Sequence, residues 1–181
     1  MDIWDIVVKD YKDEDVKLDY CRRKVLLVVN TAIASSYSAQ YLALEKLYRS
    51  YHDFGLEILD FPCNQFGNDA PWTSKEMHDY CVKKFHVSFN QFAKVDVNGV
   101  NESPIFSFLK DNSPQETVNG KKNKVQMKSL KAKSDTCKRD GDIIWNFTKF
   151  LIDKKGNVVM RLATTENPML MEDKIRRLLA E

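Results

Sequence analysis

The chain lacks long apolar runs, an excess of either charge and a usable set of histidines, and each shortage closes a class of function. No stretch approaches the roughly 18 apolar residues of a membrane span. The 28 basic and 26 acidic residues leave a net charge of +2, which gives no electrostatic case for nucleic acid or membrane as a whole-surface partner. The three histidines, His52, His78 and His86, have no ligand spacing for a metal. They also fall outside the loops that carry the candidate chemistry, and no G-x-S-x-G elbow is present, so a serine hydrolase would lack its base. The four cysteines, Cys21, Cys63, Cys81 and Cys137, form no C-x-x-C pair and no zinc pattern. The start, MDIWDIVVKDYKDEDVK, is acidic and has no secretory apolar run. The expected location is cytoplasmic, where the thiols would stay reduced.

What is present suits an ordinary globular protein. A length of 181 residues, 43% hydrophobic and 30% charged, is enough for one domain with a real core, and the whole span 1–181 is expected to form it. Residues 3–20 suggest an amino-terminal hairpin with a polar tip at 11–15. Residues 24–31, KVLLVVNT, carry a continuous apolar run rich in β-branched residues, the pattern of a strand covered on both faces. After a small-residue loop, residues 40–54 place Leu42, Leu44, Leu47, Tyr48 and Tyr51 at helical spacing, and Gly55 is a natural terminator. Residues 56–61, LEILDF, form the next buried strand. Strand, helix and strand within about thirty residues make a βαβ unit. Its strands carry loops 32–39 and 62–72 at their carboxyl ends, where open α/β sheets bind ligands.

Downstream, residues 73–85 read as a helix capped by Thr73 or Ser74 with Glu76 early. Residues 92–97 read as a short strand, and Pro104 opens a helix through residue 110. Residues 111–142 are polar, rich in lysine and without a clear period, which suggests a surface excursion or a partly ordered loop. Residues 143–153 and 157–162 form a hairpin across Lys154-Lys155-Gly156, and this places Asn146 in a strand. Residues 168–180 make a last helix with Leu170, Ile175, Leu178 and Leu179 on its apolar side. The fold class is therefore α/β, a central mixed sheet flanked by helices.

Three blocks carry a resemblance. FPCNQFG at 61–67, KVDVNG at 94–99 followed by SPIFSFLK, and WNFTKFLIDKKGNVVMR at 145–161 occur in order, and TTENP follows at 164–168. Together the chain resembles the glutathione peroxidases over essentially its whole length. The resemblance implies a thioredoxin-like fold, a hydroperoxide as substrate and a thiol, glutathione or thioredoxin, as reductant in oxidative-stress defence. It implies no other cofactor, no membrane or nucleic-acid partner, and a monomer or weak oligomer. The family's first motif resembles VNTAS-x-C-G-x-T, and the matching stretch here is VNTAIASSYS at 29–38. Ser35 therefore falls at the position of the peroxide-reducing cysteine or selenocysteine, and Ser36 at the glycine. Ile33 and Ala34 replace small polar and basic residues. Asp69 stands where the family places a glutamine, while Trp145 and Asn146 match the remaining tryptophan and asparagine.

The chemistry gives these departures weight. The family reaction is attack of a thiolate or selenolate on the O–O bond, giving a sulfenic or selenenic acid that thiols reduce. Serine has no such oxidation ladder, and its alkoxide is hard to form near neutral pH. An ionised Asp69 close to position 35 would oppose an anion there. The resemblance thus implies a peroxidase that is impaired or inactive, or alternatively a binding or regulatory protein on a peroxidase scaffold. One engineered exchange would account for Ser35 alone, whereas divergence also accounts for Ile33, Ala34, Ser36 and Asp69. Cys63 and Cys81 are the candidate redox thiols. Cys63 also reads as a small residue packing a turn. Cys81 lies near the resolving cysteine of thioredoxin-dependent relatives, one position and thus about 100° away on a helix, and also reads as a half-buried helix residue. Trp145 and Asn146 read equally as core and turn-forming residues, and Asn64 and Gln65 as organisers of their loop. Residues 120–139 hold eight basic residues and one acid, Asp135, with no aromatic side chain for base stacking.

Overall fold

A computed structural model describes residues 2–181. After a single 3-10 turn at Ile3–Asp5, strands β1 (Val7–Lys9) and β2 (Asp15–Lys17) pair antiparallel as the expected hairpin. The central sheet contains β3 (Val25–Thr31), β4 (Leu56–Pro62), β5 (Asn90–Gln91), β6 (Lys149–Ile152) and β7 (Val158–Leu162). Its order is β5-β4-β3-β6-β7, with β3, β4 and β5 parallel and β6 and β7 antiparallel to their neighbours. Every residue of β3 and β4 is buried, because each face of the sheet is covered. Leu26, Val28, Leu59, Phe61, Phe150 and Ile152 pack against the hairpin side and α3 (Pro104–Asn112). Their alternates Val25, Leu27, Val29, Ile58 and Leu151 pack against α1 (Gln40–Tyr51), α2 (Ser74–Phe85) and α5 (Glu172–Ala180). Period-2 alternation through a two-sided sheet explains why both sets are apolar.

Several local expectations need correction. On α1 the inward stripe is Tyr41, Leu44, Leu47 and Tyr48, and Leu42 is 59% exposed. Leu42 lies one position, about 100°, from Tyr41, and the larger ring takes the inward place. No strand forms over 92–97: the two residues of β5 precede it, and within it lie only isolated bridges, Phe92 to Asp10 and Asp96 to Glu102. Between them the chain bonds alternately elsewhere, Ala93 N to Lys9 O and Val95 N to Pro62 O. Residues 143–148 are turn rather than strand, because Phe147 has φ +64, a value no strand residue adopts. The carboxyl-terminal helix is split into a 3-10 turn, Pro168–Met171, and α5, and Leu170 is exposed.

The lysine-rich excursion contains a helix that its sequence pattern did not reveal, α4 (Gly120–Lys133). Only Met127 and Leu130 face inward, too few to write a legible stripe. Its amino end is held from a distance, with Asn119 N and Asn123 Nδ2 donating to the Glu166 carboxylate. By contrast, the cap of α2 was legible. Thr73 and Glu76 form a reciprocal capping box.

Candidate active site

The carboxyl ends of β3 and β4 carry the two expected loops side by side. Ladder bonding continues past the end of β4 as Cys63 N donates to Thr31 O at 2.8 Å, and Ala34 N then donates to Asp69 O at 3.1 Å. Loop 62–72 is wound through two successive left-handed residues, Gly67 at φ +68 and Asn68 at φ +54. Gly67 is needed for a second reason: a Cβ there would lie 3.2 Å from Asp69 Oδ2. Asn64 closes the loop, its Oδ1 accepting from Ala70 N and its Nδ2 donating to Asn68 Oδ1. Gln65 binds outward to the 97–98 turn, accepting from Val97 N and Asn98 N and donating to Asn98 O. Both residues organise backbone, as their types suggest.

Trp145 and Asn146 meet the same loop from the other side. The Trp145 ring tilts against Phe66, centroids 5.6 Å apart. Asn146 is fully buried, and its Nδ2 donates to Phe66 O at 3.3 Å while its Oδ1 has no partner. A buried acceptor without a donor is costly and marks a place built for a further polar group. The turn carrying these residues is held by Asn30, the next-to-last residue of β3. Its Nδ2 donates to Trp145 O, its Oδ1 accepts from Thr148 N, and its carbonyl accepts from Phe147 N. Asn30 was missed from the sequence. The only available signal was a polar residue at the end of an apolar strand.

Ser35 sits in the loop between β3 and α1 and is 3% exposed. Its Oγ accepts from Tyr37 N at 3.2 Å. The following turns, Ser38 N to Ser35 O and Tyr41 N to Ser38 O, lead into α1. No histidine serves it: His78 stacks on Tyr11 and bonds Gln91, and His86 ends α2 in a left-handed conformation. Asp69 is adjacent through its backbone. Its half-buried carboxylate accepts no hydrogen bond among the described residues, from Ser35 or any other group, and burial raises its pKa. The expected pairing of Ser35 with Asp69 is not made by their side chains; the bond between the two loops runs from Ala34 N to Asp69 O.

The two candidate thiols lie elsewhere. Cys63 and Cys81 are both fully buried, on opposite faces of the sheet. Burial pushes each thiol up to about 12, so neither carries thiolate near neutral pH. Cys81 points inward because Met77, Cys81 and Phe85 repeat at four-residue spacing on α2, a signal that was readable. Beside the site, Lys149 is fully buried, and its Nζ donates to Gln40 Oε1, Ala163 O and Glu166 O. It pins the first residue of α1 to the segment after β7. Burial lowers its pKa to about 7.

A parallel βαβ core whose two carboxyl-end loops converge, extended by an antiparallel pair, is a thioredoxin-like arrangement. The family model described as Glutathione peroxidase matches residues 3–110. A glutathione peroxidase homolog of Neisseria meningitidis is 45% identical over 181 residues, covering 99% of this chain and 100% of the relative. A crystal structure described as Trgpx in apo form superposes with TM-score 0.72 at 30% identity, covering 100% of this chain and 97% of the other. A T. cruzi structure described as GPX1 gives TM-score 0.70 at 26% identity, covering 99% and 97%. The chain belongs to the glutathione peroxidase family.

Proposed function

We propose that this chain keeps the frame of a thiol-dependent hydroperoxide reductase and performs that reduction poorly or not at all. Family membership supports hydroperoxide and thiol as the substrates the frame descends from. The observation that carries the proposal is the chemistry at Ser35. By its motif, Ser35 stands at the peroxide-reducing position, and what lies there is a buried hydroxyl bonded only by a backbone N–H. No base hydrogen-bonds it, and the buried thiols of Cys63 and Cys81 do not replace it. Hydroperoxide reduction requires a group that takes up the oxygen and is then reduced, and serine offers no such state. Asp69 adds to this, since a carboxylate beside the loop works against any anion that forms there.

The remaining frame, Trp145 and Asn146 around an orphaned buried acceptor, supports retained binding of a small polar ligand. The second reading, a binding or regulatory role on this scaffold, gains from that acceptor and from the unpaired lysines of α4 described below. A cytoplasmic location fits both readings. The test is hydroperoxide consumption by the purified chain with glutathione and with thioredoxin as reductants. The proposal expects no turnover above the buffer rate with either. Consumption at a rate proportional to protein, abolished by Ser35→Ala, would overturn it.

A further inference from the structure

Charge is unevenly distributed in this molecule. Residues 120–139 hold eight of the 28 basic and one of the 26 acidic residues, leaving 20 and 25 in the remainder. On α4, Lys121, Lys124, Lys128 and Lys131 recur at i, i+3, i+7 and i+10. That spacing puts them in one row about 15 Å long. All four are exposed, and none of their ammonium groups forms an ion pair or a hydrogen bond among the described residues. Elsewhere the chain pairs such charges along its helices, as in Lys75 with Asp79 and Arg49 with Glu45. Like charges at helical spacing destabilise a helix, so the row works against α4 itself.

Next to the row runs an uncharged strip, Val125, Ser129 and Ala132, with Val125 68% exposed, and Lys122 and Lys133 border its far side. The inward face rests on the candidate site: Met127 and Leu130 pack with Tyr37 and Trp145. Gln126 Nε2 donates to Tyr37 Oη, and Tyr37 N in turn donates to Ser35 Oγ.

We propose that α4 is a docking surface for a partner protein that presents a row of carboxylates. A small uncharged strip rimmed by like charges matches a protein interface, with its drier centre and polar rim. The opposite charge of the partner supplies steering and register. A nucleic acid is disfavoured because the segment has no aromatic residue to stack bases. A lipid surface is disfavoured because the bulky apolar residues of α4 face inward, leaving Val125 alone outside. The inference is independent of whether Ser35 turns over peroxide.

The test uses a fluorescently labelled helical peptide with glutamates at i, i+3, i+7 and i+10 beside an alanine strip, titrated with the full chain and followed by anisotropy. A uridine oligonucleotide and phosphatidylcholine vesicles containing phosphatidylserine are run alongside. Two variants are compared, Lys121→Gln/Lys124→Gln/Lys128→Gln/Lys131→Gln and a control with Lys12, Lys46, Lys84 and Lys174 changed to glutamine. Circular dichroism establishes that both fold. The peptide should bind the native chain, weaken as salt rises toward about 150 mM, lose at least roughly tenfold affinity with the α4 variant and change less than about twofold with the control. Binding should also shift the Tyr37 amide resonance. No peptide binding, equal loss in both variants, or tighter binding of the oligonucleotide or vesicles through the same lysines would overturn the proposal.

Discussion

The site has two kinds of residue, and they are held very differently. Asn30, Asn98 and Gln65 are each bound into backbone at several points. Ser35 and Asp69 have almost no side-chain ties: one backbone N–H reaches Ser35, and nothing among the described residues reaches the Asp69 carboxylate. The first group determines where loops go. The second occupies the positions that the family resemblance assigns to chemistry, and its members can change without disturbing the frame. A scaffold built this way retains its shape when its reactive residue is replaced.

That contrast predicts a graded series. The largest effect should come from Asn98→Ala. It removes the side chain that accepts from Ile143 N and donates to Ile143 O, both buried. Two orphaned backbone groups should cost about 3 kcal/mol in urea unfolding. Asn30→Ala should follow at about 2 kcal/mol. It should also alter the near-ultraviolet dichroism of Trp145, because Trp145 O and Thr148 N, on either side of Phe147, lose their side-chain partner.

The shared floor gives a pH-dependent effect. Asp60 lies under the end of β3, fully buried, accepting from Thr31 Oγ1 and Gln91 Nε2, and burial raises its pKa to about 6 from 3.8. Between those values the folded chain holds a proton that the unfolded chain has released. Stability therefore falls as pH rises through this window, and the penalty persists above it. Asp60→Asn should flatten the slope between about pH 4 and 6 by about 2 kcal/mol. An unchanged slope would remove Asp60 as its source. The smallest effect should be Ser35→Ala, below about 1 kcal/mol. A loss as large as that of Asn98→Ala would erase the distinction between frame and reactive positions.

Much of this was legible in the sequence, for physical reasons. Residues 25–29 are an unbroken apolar run and 56–62 are mostly apolar because both sheet faces are covered, and Thr73 with Glu76 announces a helix start through a purely local bond pair. What stayed hidden depends on distant partners. The turn at 145–148 is set by Asn30, more than a hundred residues earlier, and by a left-handed phenylalanine that no local pattern encodes. Helix α4 is started by Glu166 and seated by only two inward side chains. Asp69 was identified by its place in the motif, but the turn of its carboxylate onto Gly67 depends on loop geometry that composition does not carry.

The central claim is that the frame is intact and the reactive positions are altered. The most direct measurement is stopped-flow hydroperoxide consumption by the native chain, Ser35→Cys and Ser35→Cys/Asp69→Gln, each with glutathione and with thioredoxin. The account predicts no turnover by the native chain and slow turnover by the single variant. It predicts a further gain of roughly tenfold in the double variant, the size expected from removing one nearby negative charge. Turnover by the native chain, no turnover by either variant, or equal rates for the two variants would contradict it.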